Sequence, residues 1–341
     1  MTAKWFAFLV ALFLSFMSRK RMSHDNGIAG LGTLKIVDDP KFPEHDFFGA
    51  GKEYPVRIRH ATATFLDDGV NGIRSIAIKF SHHYFESPFD IEMNTGQTTL
   101  FWSALSFRKF GNLKKEKWAV TYVDFIKKYP EGVTGAIKAL RRDPTSFTNL
   151  RYYCKTPFLF IGNDGIKHYA KYRVVPSEGV PETGLQVDPC DYELPNQRVA
   201  PHNKNGRNYL KYEFEDRVKR EGAHYTLQIQ LLMAHDDESQ EIFNNMIEWD
   251  EKIYPWYDVA NFSITKTLDW KESTLSTFSV NNMPKSLGVI PAKSIFDYNS
   301  VNYMRAHSEI ARKARLWSYK VFGMVPPIPD NDNRNSETWG K

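Results

Sequence analysis

The chain has 341 residues, 42% hydrophobic and 14% aromatic, with a formal charge of +5; it can bury a large core, which excludes an intrinsically disordered protein. The positive excess is too dilute for a nucleic-acid surface and no block of like charge stands out, although an acidic small molecule stays compatible. Two cysteines, Cys154 and Cys190, cannot make a disulfide framework or a Cys-rich zinc site and read as buried or free thiols.

In chain order, the first feature is an apolar run from Trp5 to Met17, followed at once by Arg19, Lys20 and Arg21. It is shorter than the roughly 20 residues of a spanning helix. It has the size of a signal-peptide core but no Ala-x-Ala-like site follows. Residues 1–20 therefore form a segment of their own, with three readings open: a signal or signal-anchor, an interfacial anchor, or an arm packed on the protein. From Gly32 onward the pattern predicts strands at Thr33 to Val37, Val56 to Phe65, Ile73 to Phe80, Phe158 to Ile161, His168 to Val175 and Tyr225 to Met233. In the last run Tyr225, Leu227, Ile229, Leu231 and Met233 fall on one face, and Gly72 and Asn163-Asp164-Gly165 mark turns. Helices are predicted over Val120 to Lys128, Thr134 to Arg142 and Val301 to Phe322. Ser177 to Asn208, rich in Pro, Gly, Asn and Asp, reads as a long surface connection, and residues 326–341 as a polar tail. The expected architecture is α+β: an antiparallel β-barrel wrapped by helices, within one domain spanning 21–325.

Four segments carry chemistry. In Arg315-Leu316-Trp317-Ser318-Tyr319, Arg315 and Tyr319 are four apart on one helix face. A phenol titrates near 10 and binds Fe(III) as phenolate, which a neighbouring guanidinium favours; an amphipathic helix gives the same pair by chance. In Arg21-Met22-Ser23-His24-Asp25-Asn26-Gly27, a histidine leads into the small-residue run Ile28-Ala29-Gly30-Leu31-Gly32, where few bulky side chains would hinder a close approach to the backbone. Val56-Arg57-Ile58-Arg59-His60-Ala61-Thr62 precedes Ile73 to Phe80 as a pair of strands, and His60 there is a rival to His24. Asp90-Ile91-Glu92-Met93-Asn94-Thr95-Gly96 offers an amide at Asn94, or a plain turn, before the aromatics Phe101, Trp102, Phe107 and Phe110, which read as core.

Taken together and in this order, these segments resemble the catalase superfamily, from about Arg21 to Phe322. The stretches Phe160 to Gly165, His168 to Tyr172, Tyr225 to Gln230 and Ile253 to Trp256 also resemble its barrel strands. The resemblance implies a catalase-like barrel with haem b, as ferric iron, between the barrel and the C-terminal helix. It makes Tyr319 the axial iron ligand, Arg315 the partner of its phenolate, Arg21 and Arg59 the propionate anchors, His24 the distal histidine and Asn94 the distal amide. Where the family has a serine contacting the distal histidine this chain has Ala61, with Thr62 or Thr64 as substitutes. No second arginine follows Tyr319.

Within the superfamily the chain is most similar to the catalase-related allene oxide synthases found fused to lipoxygenases in corals. The residue before the distal histidine is hydroxylic in that branch, and here it is Ser23; Arg59 to Phe65, Met93 to Gly96 and Phe296 to Ser300 look alike as well. A hydroxyl beside His24 competes with hydrogen peroxide for the imidazole. The resemblance implies rearrangement of polyunsaturated fatty-acid hydroperoxides, to an allene oxide, an epoxy alcohol or cleaved aldehydes. A lipoxygenase partner, a peripheral membrane contact and no nucleic acid go with it. Hydrogen-peroxide catalase or peroxidase activity, and haem binding without turnover, stand as alternatives.

Overall fold

A computed structural model describes residues 8–13, 21, 23–63, 68, 69, 71–116, 121–186, 205, 206, 208–235 and 239–326. Among them the strands are β1 (Gly27–Ile36), β2 (Glu53–Thr62), β3 (Gly72–Lys79), β4 (Asp90–Thr95), β5 (Leu140–Arg141), β6 (Tyr152–Tyr153), β7 (Phe158–Ile161), β8 (Lys167–Pro176), β9 (Ala223–Met233) and β10 (Trp256–Thr267). Their order is β2-β1-β10-β9-β8-β6-β4-β3, and β3 pairs back with β2, so eight antiparallel strands close a barrel. Closure leaves those strands no free edge to protect. β5 and β7 flank it on β3 and β8.

The alternation read from the sequence is what fills the barrel. Tyr225, Leu227 and Ile229 of β9 are fully buried, as are Val56 and Ile58 of β2 and Ile76 and Ile78 of β3. At the end of β9 the pattern outlasts the core, and Met233 is 51% exposed.

The helices are α1 (Ala104–Glu116), α2 (Thr121–Lys128), α3 (Val133–Ala139), α4 (Tyr209–Arg220), α5 (Trp270–Leu275), α6 (Ser300–His307) and α7 (Glu309–Phe322). Neither α1 nor α4 was expected. α4 is too polar for its apolar face to dominate by composition, yet Leu210, Phe214 and Val218, four apart, are buried in the barrel core. The helix expected over Thr134 to Arg142 ends at Ala139, because Leu140 and Arg141 pair with Ile73 and Gly72. The expected C-terminal helix breaks at Ser308, whose amide bonds to the Met304 and Arg305 carbonyls.

β1 starts at Gly27, six residues before the expected strand, and two of its glycines are in close contact with neighbouring chain. A Cβ at Gly32 would lie 1.7 Å from the Ser263 carbonyl oxygen, and one at Gly27 would lie 2.7 Å from the Arg59 guanidinium. These glycines admit β10 and Arg59. The register with β10 shifts between Leu31 and Gly32.

Residues 8–13 are helical, and Phe8 meets Trp317 edge to face at 6.3 Å. Leu9, Val10 and Phe13 are exposed, as are Trp317, Val321 and Phe322 of α7. No helix among the described residues is long and apolar enough to cross a membrane. Met22, Thr64, Phe65, Val120, Cys190, most of the 1–20 segment, residues 327–341 and most of the connection after Gln186 lie outside the described residues; Cys154 is buried and free.

Candidate active site

Strand parity separates the candidates. In β2 the residues Val56, Ile58 and His60 point into the barrel, which places Arg57, Arg59 and Ala61 on its outer face. His60 is fully buried and stacks on Phe147 at 4.8 Å; its Nε2 meets the Tyr225 hydroxyl at 2.8 Å. The rival histidine is thus part of the core. In β4, Ile91 and Met93 join the core and Glu92 and Asn94 face outward. Asn94 is a strand residue, and the turn begins at Gly96, with φ of +80°.

His24 stands at the entrance to β1 and reaches Asn94. Its Nε2 lies 3.4 Å from Asn94 Oδ1 and its Nδ1 lies 2.8 Å from Ser23 Oγ. With the amide in this orientation, Nε2–H donates to Oδ1, and Nδ1 accepts from the serine hydroxyl. The backbone of His24 is left-handed, with φ of 57°, a conformation that needs outside support in a residue bearing a Cβ. Two bonds supply it: His24 N–H donates to Ala63 O at 3.0 Å, and Arg59 Nη1 donates to His24 O at 2.7 Å. Burial pushes the imidazole down to about 4, with Glu92 opposing, so the ring is neutral near pH 7.

Thr62, a substitute considered for the missing serine, instead donates its hydroxyl to Asp68. The contact to the histidine comes from the neighbouring residue in sequence, Ser23.

Next to His24, through Arg59, begins a cluster of cations. Arg21 Nη2 donates to the Thr274 and Ser276 carbonyls at 2.8 and 2.5 Å, and the Arg21 amide to Asp25 Oδ1 at 2.8 Å. Arg59 donates to His24 O, Asp25 O and Ser273 O, so α5 and the segment after it present a row of carbonyls to both guanidiniums. Arg315, Arg21 and Arg59 all lie within electrostatic reach of Tyr319, which is 3% exposed. Burial depresses all three guanidiniums, Arg59 to about 10, and repulsion adds to it: from Arg59 and Arg315 on Arg21, from Arg315 on Arg59, and from Arg312 on Arg315. Burial raises the Tyr319 phenol; Arg315, then Arg21 and Arg59, oppose it without prevailing. The arginine one turn away therefore does not by itself ionise the phenol.

The expected residues are linked in pairs: Ser23, His24 and Asn94 by hydrogen bonds, Arg59 to the His24 carbonyl, and Arg315, Arg21 and Arg59 to Tyr319 by charge. Sequence reasoning passed over Glu92, Arg305 and Arg312. Glu92 takes Arg305 Nη2 at 2.6 Å and Arg312 Nη1 at 3.5 Å. Burial would raise its carboxyl, yet the two arginines hold it below the usual range. Its place two residues before Asn94, on the same strand face, was the available signal.

No protein-family model matches the chain. It is 34% identical over 311 residues to the allene oxide synthase-lipoxygenase protein of Plexaura homomalla, covering 90% of this chain and 29% of that protein. Linolenate 9R-lipoxygenase of a Nostoc species is 28% identical over 253 residues, covering 71% of this chain and 31% of that protein. The chain thus spans less than a third of the length of these relatives. Among solved structures, a bacterial catalase superposes with a TM-score of 0.71 at 18% identity, over 93% of this chain and 62% of that one. A fungal catalase does so with a TM-score of 0.67 at 17% identity, over 96% and 69%. The fold is catalase-like.

Proposed function

Because the chain belongs to the catalase superfamily, we propose that it is a haem enzyme that rearranges polyunsaturated fatty-acid hydroperoxides in the manner of an allene oxide synthase. The observation that carries this reading is the pairing of a serine-bonded, neutral His24 with Asn94, together with a buried Tyr319 ringed by arginines, one of which, Arg59, also holds the His24 carbonyl. The sequence relationship to the Plexaura homomalla protein supports the same branch.

The residues fit a haem. Nε of Arg21 and of Arg315 are buried with no hydrogen-bond partner among the described residues, and three guanidiniums gather around the carboxylate of Asp25. Such a surplus of buried positive charge accommodates the propionates and a phenolate. Tyr319 would hold the iron, Arg315 its oxygen, and Arg21 and Arg59 the propionates. When bound, the ferric haem supplies cleavage of the peroxide O–O bond and one-electron oxidation at carbon.

The chain's own part is proton placement. With Ser23 donating to Nδ1, the neutral His24 keeps its proton on Nε2 and offers it as a hydrogen bond, without transferring it, shared between Asn94 Oδ1 and an oxygen of the hydroperoxide. Asn94 fixes the ring through Oδ1 and keeps its amide N–H groups for a peroxide oxygen. The same serine bond occupies the nitrogen through which the ring would otherwise take up a proton, which works against hydrogen-peroxide turnover. Net loss of water gives the allene oxide; epoxy alcohol or chain cleavage are the neighbouring outcomes. A lipoxygenase would supply the hydroperoxide, as the fused relative suggests, and the exposed apolar side chains of residues 9, 10 and 13 beside Trp317 support a peripheral membrane contact.

The test is haem reconstitution of the wild type and of Tyr319→Phe, followed by a fatty-acid hydroperoxide or hydrogen peroxide. The wild type should take up haem and consume the conjugated diene with little oxygen release, and Tyr319→Phe should lose the tyrosinate spectrum. Equal spectra in both proteins overturn the ligand assignment. Oxygen release as the dominant activity favours the catalase alternative, and a spectrum without turnover of either peroxide favours simple haem binding.

A further inference from the structure

Outside the His24 site, a cleft of about 390 Å³ opens between α1 and α6 and the segment leading into α6. That volume is within the range of small-ligand sites, about 300–1,000 Å³. Its walls are apolar, built from Leu105, Ile295 and Met304 among others, and its rim carries Arg108, Lys293 and His307. Backbone bonds hold the walls: Leu105 N–H donates to Ile295 O at 3.1 Å, and Ala104 N–H to Ser300 Oγ at 2.8 Å. The side chains of Arg108 and Lys293 take no carboxylate partner among the described residues. Asp297, the acid of this segment, accepts the backbone N–H groups of Lys293 and Ser294 and so closes a turn. Ile295 and Phe296 extend the apolar lip and are 49% and 68% exposed.

An apolar trough beneath two uncompensated cations suits a molecule with the opposite arrangement. We infer that the cleft between α1 and α6 binds a long-chain carboxylate, its tail against Leu105, Ile295 and Met304 and its head group between Arg108 and Lys293. The inference rests on the cleft alone, so it stands or falls separately from the haem reading.

The probes are dodecanoate and dodecyltrimethylammonium, each below its micellar concentration, titrated calorimetrically into the full chain without added haem. In parallel, methyl-¹³C-methionine spectra follow Met304, assigned with Met304→Leu. Dodecanoate should shift the Met304 methyl signal, and the site that does so should bind it at least about tenfold more tightly than the cationic amphiphile. Arg108→Gln with Lys293→Gln should weaken dodecanoate about tenfold, as loss of two exposed ion pairs predicts, and leave the near-ultraviolet dichroism unchanged. Leu105→Glu should abolish the Met304 shift. Equal binding of both amphiphiles, an unmoved Met304 signal, or undiminished affinity in the double variant overturns the inference.

Discussion

Arg59 holds His24 by its backbone: Nη1 donates to the histidine carbonyl at 2.7 Å, while Nη2 takes the next carbonyl, of Asp25, at 2.8 Å. The fork therefore spans two consecutive peptides at the point where His24 adopts a left-handed backbone. A residue expected to anchor a ligand also fixes the geometry of the candidate distal histidine. The link is direct, since β1 and β2 pair Ala29 with Arg59.

Arg59→Lys keeps the charge and loses the fork, since one ammonium cannot serve three carbonyls at these positions. The expected cost is about 2–4 kcal/mol in urea unfolding. A variant as stable as the wild type would show that Arg59 does not support the His24 turn.

Ser23→Ala releases Nδ1 of His24. Oxygen release from hydrogen peroxide by the haem-loaded variant should rise about tenfold or more, because the ring recovers a free basic nitrogen. Asn94→Ala should instead lower hydroperoxide consumption about a hundredfold, the usual scale for losing one positioned donor. An oxygen electrode and the diene absorbance read the two separately. If Ser23→Ala leaves oxygen release unchanged, the serine bond is not what restrains the imidazole.

Acid should unfold the protein partly through His60. Burial pushes this fully buried imidazole down to about 3, against 6.5 unperturbed. The unfolded chain then binds the extra proton between these values, so stability is retained above pH 6.5 and falls as the pH drops toward 3. The slope is about 1.4 kcal/mol per pH unit. Between pH 6.5 and 5 the wild type should lose about 2 kcal/mol more than His60→Gln in urea titrations. Parallel pH dependence in the two would mean that His60 titrates normally.

Two glycines should respond unequally to alanine. At Gly32 the new methyl would sit 1.7 Å from Ser263 O, whereas at Gly165, with φ of +77°, nothing lies within 4 Å. Gly32→Ala should cost about 3 kcal/mol or more by forcing β1 off β10. Gly165→Ala should cost about 1–2 kcal/mol, the left-handed strain alone. Equal melting temperatures for the two variants would contradict the close approach of the strands.

Much of the site was legible because its chemistry rests on residue types that few positions supply. Arg315 and Tyr319 share a face by helical spacing, and Ser23 adjoins His24 in sequence, so both relationships survive any placement of the surrounding chain. Glu92 was passed over because a carboxylate in a polar-apolar alternation looks like a solvated strand residue. It becomes part of the site through Arg305 and Arg312, more than two hundred residues away.

Local periodicity by itself determined the strands β2, β3, β7, β8 and β9 and the α+β class, since alternation reports which side chains face a core whatever the strand pairs with. Only the tertiary structure decided that His60 lies inside the barrel and His24 outside it, because one residue of register inverts every side chain of a strand. It also decided how far the phenol of Tyr319 is from ionising. That balance sets the burial of one side chain against charges from Arg315, Arg21 and Arg59, brought together by folding from three separate parts of the chain.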